Sequence, residues 1–221
     1  MKPVDLKMLS KARIPTNLGE FTLILYANEL ENKQHMAWTM GDVHGQEDLL
    51  VRVHSECFTG EVMGSRRCDC GQQLAASMDI VAEAGQGIIV YLRQEGRGIG
   101  LCDKLKAYNL QDEGYDTVDA NLVLGHQADE RNYEVAAAIL NDLGVRSIRL
   151  LSNNPRKFEE LQQYGISIRG RIPLLSEATP ESQAYLYAKM SRMHHWLSVS
   201  PPTNGSQPHT ANQRHPAERQ G

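Results

Sequence analysis

Gly87-Ile88-Ile89-Val90-Tyr91-Leu92-Arg93-Gln94-Glu95-Gly96-Arg97-Gly98-Ile99-Gly100 decides how the chain is read. Its first half is a short, apolar, β-branched run without polar alternation, the composition of a strand buried on both faces. Its second half places glycine at every other position from 96 to 100, which breaks strand and helix alike. Beyond it, Ile99, Cys102 and Leu105 recur at helical spacing and predict a helix over 99–110 with those residues inward. A buried strand handed through a glycine turn to a helix is the βα step of a mixed α/β (α+β) domain.

Outward from this step the same alternation holds. Leu74, Met78 and Val81 predict a helix over 72–84 that stops at Gly85. Strands are predicted over 21–27, over 36–40 with Met36, Trp38 and Met40 on one face, and over 49–54, where apolar residues alternate with Arg52 and His54. A helix opening at Asp129 or Glu130 runs through Tyr133, Ala136, Ala137, Leu140 and Leu143 to Gly144. A strand follows over 147–151. Asn154-Pro155 then opens a helix that ends at Tyr164, with Asn as cap and Pro in the first turn. A short strand over 166–168 and a closing helix over 180–197 complete the body. No internal repeat is visible.

Composition narrows the function classes. Of 221 residues, 41% are hydrophobic and 23% charged, an ordinary soluble balance, and the net charge of −4 argues against a protein that coats nucleic acid while leaving room for a local basic cleft. The longest apolar run, at 135–140, is far short of the ~20 residues that span a bilayer. Residues 1–15 interleave charges without an apolar block, so no export signal is expected. Four cysteines are too few for a disulfide scaffold, so reduced thiols and a cytoplasmic location are expected. Residues 198–221 hold four of the nine prolines and no Leu, Ile, Met, Phe, Tyr or Trp, and are expected to be a disordered tail on a domain spanning 1–197.

Cys57, Cys68 and Cys70 form C-x10-C-x-C, flanked by Arg66, Arg67 and Asp69. Three soft thiolates suit zinc, and three protein ligands leave a position for a water that zinc ionises near neutral pH. A helix beginning after Gly71 would add a positive N-terminus. A structural zinc with His54 as fourth ligand, or three unrelated buried thiols, remain alternatives on spacing alone. Cys102 reads as a core thiol. The 94–100 loop suits a phosphate, with Arg97 as a bidentate donor, although a tight turn accounts for its glycines equally well. It is not G-x-G-x-x-G, because Leu101 stands where the third glycine belongs. Ser152-Asn153-Asn154-Pro155-Arg156-Lys157 is a second such handover, equally readable as a capped helix start. Asp129 and Arg131 pair a carboxylate with a guanidinium, a common first-turn decoration.

Taken together these segments resemble GTP cyclohydrolase II. The likeness is carried by Arg52-Val53-His54-Ser55-Glu56-Cys57, Arg67-Cys68-Asp69-Cys70-Gly71, Gln94-Glu95-Gly96-Arg97, residues 110–117, Ala128-Asp129-Glu130-Arg131 and Asn153-Asn154-Pro155, in family order over about residues 10–195. The resemblance implies a single domain with a mixed sheet flanked by helices, acting in riboflavin biosynthesis. It implies zinc on Cys57, Cys68 and Cys70, magnesium with the triphosphate, and a homodimer without nucleic-acid or membrane partners. The implied reaction opens the GTP imidazole ring at C8 and releases formate and pyrophosphate. GTP contacts are implied for Arg52, Val53, His54, Ser55, Glu56, Gln73, Glu95, Gly96, Arg97, Thr117, Ser152 and Lys157. Asp129 matches a proton acceptor, Arg131 a residue that attacks the α-phosphate, and Tyr108 a tyrosine of the ring-opening chemistry. Ser152 stands where threonine is usual, and Gly98 where some relatives carry asparagine. A body of 197 residues leaves no room for a fused dihydroxybutanone phosphate synthase, so a monofunctional chain is expected. Two other readings compete. Nucleobase deamination lacks its P-C-x-x-C and His-x-Glu pattern, and a structural-zinc binding module sits poorly with an acidic body poor in Phe.

Overall fold

A computed structural model describes residues 4–28 and 33–201. Seven strands, β1 (Leu6–Thr16), β2 (Gly19–Asn28), β3 (Lys33–Met40), β4 (Leu49–Ser55), β5 (Gly87–Leu92), β6 (Ile148–Leu151) and β7 (Ile168–Ile172), form one mixed sheet in the order β1-β2-β3-β5-β4-β6-β7. The first four in that order pair antiparallel, and β5, β4, β6 and β7 pair parallel. The helices are α1 (Phe58–Glu61), α2 (Cys70–Ala84), α3 (Gly100–Asp112), α4 (Thr117–Val123), α5 (Glu134–Asp142), α6 (Pro155–Gln163) and α7 (Gln183–Met193).

Helices cover both faces of the parallel half, which is why β5 is apolar without alternation and β4 is buried along nearly its whole length. On one face Val51, Val53, Ile88, Val90 and Leu92 pack with Val135, Ala136, Ile139 and Leu140 of α5 and Leu161 of α6. On the other, Leu50 and Ile89 meet Val81 of α2, Leu151 and Leu174. Each such fully buried aliphatic side chain stabilises the fold by about 1.5–3 kcal/mol. The glycine turn after β5 therefore sits at the carboxyl end of a rigid parallel sheet, beside the ends of β4 and β6, where open α/β sheets place ligands.

Several expectations are corrected. The alternation over 49–54 does not separate a wet face from a dry one: Arg52 and His54 are buried with their apolar neighbours, because β4 is central and covered on both sides. Cys102 and Leu105 do not pack inward. Cys102 is exposed, and α3 buries Lys104 and Ala107 instead. The helix placed at 129 begins at Glu134, because Asp129 binds back to the Arg131 backbone and side chain and holds 129–133 as a loop. α2 begins at Cys70 rather than after Gly71. The strand placed at 166–168 is Ile168–Ile172, and the closing helix is Gln183–Met193. β1, α1 and α4 are additional elements. The tail assigned to 198–221 lies outside the described residues from 202 onward. No helix among the described residues is long and apolar enough to cross a membrane.

Candidate active site

Cys57 ends the β4 segment and precedes α1, Cys68 lies in the following loop, and Cys70 opens α2. Their three sulfurs lie within 4.8 Å of one another, with Cys57 Sγ 3.6 Å from Cys68 Sγ. The α1 backbone is pressed against them: a Cβ on Gly60 would stand 2.9 Å from Cys68 Sγ and 3.2 Å from Cys57 Sγ. This is the donor set and spacing of a zinc site, and the residues fit that ion. Hydrogen bonds from its two neighbours hold the Cys57 thiol well below its ordinary range, and Lys104 Nζ adds a donor at 3.1 Å. Burial works against the Lys104 ammonium, but the Cys57 thiolate and Glu95, 2.8 Å away, outweigh it and raise its pKa.

His54 is not a fourth ligand. Its Nε2 meets Glu61 Oε1 at 2.7 Å, and its Nδ1 faces the Arg52 guanidinium at 3.4 Å. Burial lowers its pKa to about 4, so it is a neutral imidazole at pH 7. Glu61 also accepts from the Cys57 amide at 2.7 Å and from the Tyr91 hydroxyl at 2.6 Å, so one carboxylate ties β4, β5 and the first thiol together.

The triad lines a cleft with two connected lobes that share Ser55, Cys70, Arg97, Arg131 and Tyr185. In the thiol lobe the Tyr108 hydroxyl lies 3.3 Å from Thr59 Oγ1, whose oxygen is 3.8 Å from Cys57 Sγ. Glu56, Glu95, Gly96 and Thr117 line the same lobe, and Asp116 caps α4 just before Thr117. The second lobe is cationic. Arg52 donates to the Leu151 carbonyl at 2.9 Å and to Gln73 at 2.7 Å; burial lowers its pKa to about 10. Lys157 donates to the Val53 carbonyl at 2.7 Å, and burial together with Arg52 and Arg131 pushes its pKa well down. Ser152 Oγ accepts the Asn154 amide at 3.1 Å. So many cations in one lobe repel one another until an anion joins them.

Arg97 is the least satisfied of them. The turn sets Gly96 at φ 62° and Arg97 at φ 63°, a left-handed conformation that costs a non-glycine residue about 1 kcal/mol or more. Gly98 follows at φ 101°, and a Cβ there would meet Glu130 at 3.1 Å. The strained turn aims the guanidinium into both lobes, where its two terminal nitrogens are buried without a hydrogen-bond partner. A buried, unpaired guanidinium is costly unless a ligand completes it.

The structure thus brings together most residues singled out in the sequence. Two are set apart. Val53 contributes only its carbonyl to Lys157, and Asp129 has both carboxylate oxygens on Arg131, at 2.8 and 2.5 Å, with its pKa held at about 2. Lys104, Asn121, Tyr185, Lys189 and His195 were not anticipated. A signal for the first existed: Lys104, Ala107, Tyr108 and Gln111 recur at helical spacing and face the thiol lobe as a polar stripe.

A thiol triad of metal-ligand geometry opening into a cation-lined cleft on an α/β sheet has room for a metal ion beside an anionic ligand. The sequence model of GTP cyclohydrolase II matches residues 7–173, and the chain belongs to that family. It is similar to the riboflavin biosynthesis protein RibBA of Bacillus subtilis (strain 168), at 55% identity over 185 residues, covering 83% of this chain and 46% of that protein. The protein of the same name from Chlamydia trachomatis is 53% identical over 192 residues, covering 86% and 45%. That from Chlorobium phaeovibrioides is 50% identical over 190 residues, covering 86% and 46%. The chain spans about half the length of these relatives.

Proposed function

We propose that the chain catalyses the GTP cyclohydrolase II reaction of riboflavin biosynthesis. In it the imidazole ring of GTP opens at C8, formate and pyrophosphate leave, and 2,5-diamino-6-(5-phosphoribosylamino)pyrimidin-4(3H)-one remains. The observation that carries this reading is the Arg97 guanidinium, set over the Tyr185 ring, whose buried terminal nitrogens have no hydrogen-bond partner and which lines both the thiol lobe and the cationic lobe. A nucleotide with its base at the thiols and its phosphates among the cations satisfies both.

Cys57, Cys68 and Cys70 would hold zinc, which supplies a hydroxide nucleophile and Lewis acidity at C8. Lys104 donates to Cys57 Sγ and adds to the support that its two cysteine neighbours give the thiolate. Tyr108 holds a proton at the ring-opening end of the cleft, next to Thr59. Arg97, Arg131 and Lys157 gather the triphosphate, with magnesium accompanying it. The Asp129–Arg131 pair acts at the α-phosphate. In the free protein Arg131 stays charged, because Tyr133 and Asp129 outweigh its burial, and it presents a fixed cation there. Arg52, Gln73 and Ser152 frame the second lobe. We take the catalytic domain as 1–197 with 198–221 as a tail, working as a cytoplasmic homodimer without nucleic-acid or membrane partners.

Metal analysis of wild type and Cys68→Ser, paired with a formate assay on GTP and magnesium, tests the reading. Wild type should carry zinc and release formate, and Cys68→Ser should do neither. Zinc-loaded wild type that yields neither formate nor the diaminopyrimidine overturns it.

A further inference from the structure

Four side chains lining the second lobe bury a polar atom with no partner among the described residues: Arg52 (Nε), Arg97 (Nη1 and Nη2), Asn153 (Oδ1) and His195 (Nε2). The first three belong to segments already singled out. His195 does not, and it stands beyond residue 173, where the family match ends.

Its position is built. α7 ends at His194, whose left-handed backbone, φ 55°, reverses the chain so that the His195 amide donates to the Lys189 carbonyl at 3.0 Å. The next residue locks the reversal: the Trp196 amide donates to the Asn153 carbonyl at 2.9 Å, and its ring meets Phe158 edge-on at 5.1 Å and lies 4.9 Å from the Arg171 guanidinium. α7 itself lines the second lobe through Tyr185, Lys189 and Met193 and is pinned there. Lys189 Nζ reaches Asp69 at 2.8 Å, and Arg192 binds Asp116 and, at 3.1 Å, Asp119. An imidazole carried past the helix end by this reversal, with its buried Nε2 in the cationic lobe and without a protein partner, points to a ligand.

We propose that residues 183–196 form a wall of the nucleotide cleft and that His195 Nε2–H binds the polyphosphate directly. This rests on the nucleotide reading above and extends its anion site to a segment outside the family match. A neutral donor suits the place: Lys189, Arg131, Lys157 and Arg97 already face it, and a further cation would only add repulsion.

The test is calorimetric titration of the full-length protein with inorganic tripolyphosphate and, separately, guanosine. His195→Gln keeps an N–H near Nε2, whereas His195→Phe keeps the ring volume without it. His195→Gln should bind tripolyphosphate within about twofold of wild type and His195→Phe about tenfold more weakly, as for a lost hydrogen bond to a charged group. Guanosine affinity and thermal midpoint should hold in both. The proposal falls if His195→Phe binds tripolyphosphate as wild type does, if it loses guanosine in equal measure, or if wild type ignores tripolyphosphate. Should the titrations come out as expected while GTP is not opened, the cyclohydrolase reading fails and the anion site stands.

Discussion

Replacing Glu61 with leucine should be among the most damaging single changes outside the apolar core. The side chain is 7% exposed and accepts from three groups at once, the Cys57 amide, the His54 imidazole and the Tyr91 hydroxyl, all within 2.7 Å. Leucine fills the space but strands three buried donors, each at about 1–3 kcal/mol. Because the three share one hub and water partly relieves them, a total of roughly 3–5 kcal/mol is expected, about 6–20 °C in midpoint for a domain of this size. Glutamine separates acceptor loss from shape. Its Oε1 still accepts from Cys57 and His54, and the Tyr91 hydroxyl can turn to accept from its amide, so Glu61→Gln should cost about 1 kcal/mol. Urea unfolding of wild type and both variants in the metal-free state measures this. Equal stability of Glu61→Leu and wild type, or equal loss in Glu61→Gln and Glu61→Leu, would refute the hub.

Gly60→Ala should reduce zinc affinity by about tenfold or more with little change in far-UV circular dichroism, since its Cβ would stand 2.9 Å from Cys68 Sγ; competition with a chromophoric chelator reads it out. Asp129 has a folded-state pKa of about 2 against an ordinary 3.8, so it contributes about 2 kcal/mol above pH 4, lost as pH falls toward 2. Asp129→Asn should lack that part of the acid limb in urea titrations at stepped pH. Chelating the metal should abolish formate release while secondary structure largely survives, because the sheet and both apolar clusters form without the thiols; unfolding on chelation, followed by circular dichroism, would instead mark the site as structural.

What the sequence discloses depends on whether a residue's duty is local. The run at 87–92, the Asn154-Pro155 helix start and the C-x10-C-x-C spacing each carry their own signature, and all are found in place. β1 has none: nearly every side chain on it is exposed, so no alternation marks it, and only its ladder to β2 makes it a strand. The burial of Arg52 and His54 leaves no local mark, because the two layers of helix that cover β4 come from remote parts of the chain. Lys104 looks like a solvated helix lysine until α3 is laid against Cys57 and Glu95. The loop at 129–133 escapes a helical pattern because an Asp–Arg clasp competes with the first turn.

β1 closes one rim of the sheet among the described residues, and its outer edge offers a row of backbone groups to any other strand. Met8, Leu9 and Ile14 are exposed along it, a combination that invites fibrous growth. The same strand carries Lys7, Lys11 and Arg13, lacks an N–H at Pro15, and slips register between Met8 and Ser10. A second copy docking there would bring like charges into register against a bent and interrupted ladder. The rim so built lets an eleven-residue strand face solvent without becoming a template for its own kind.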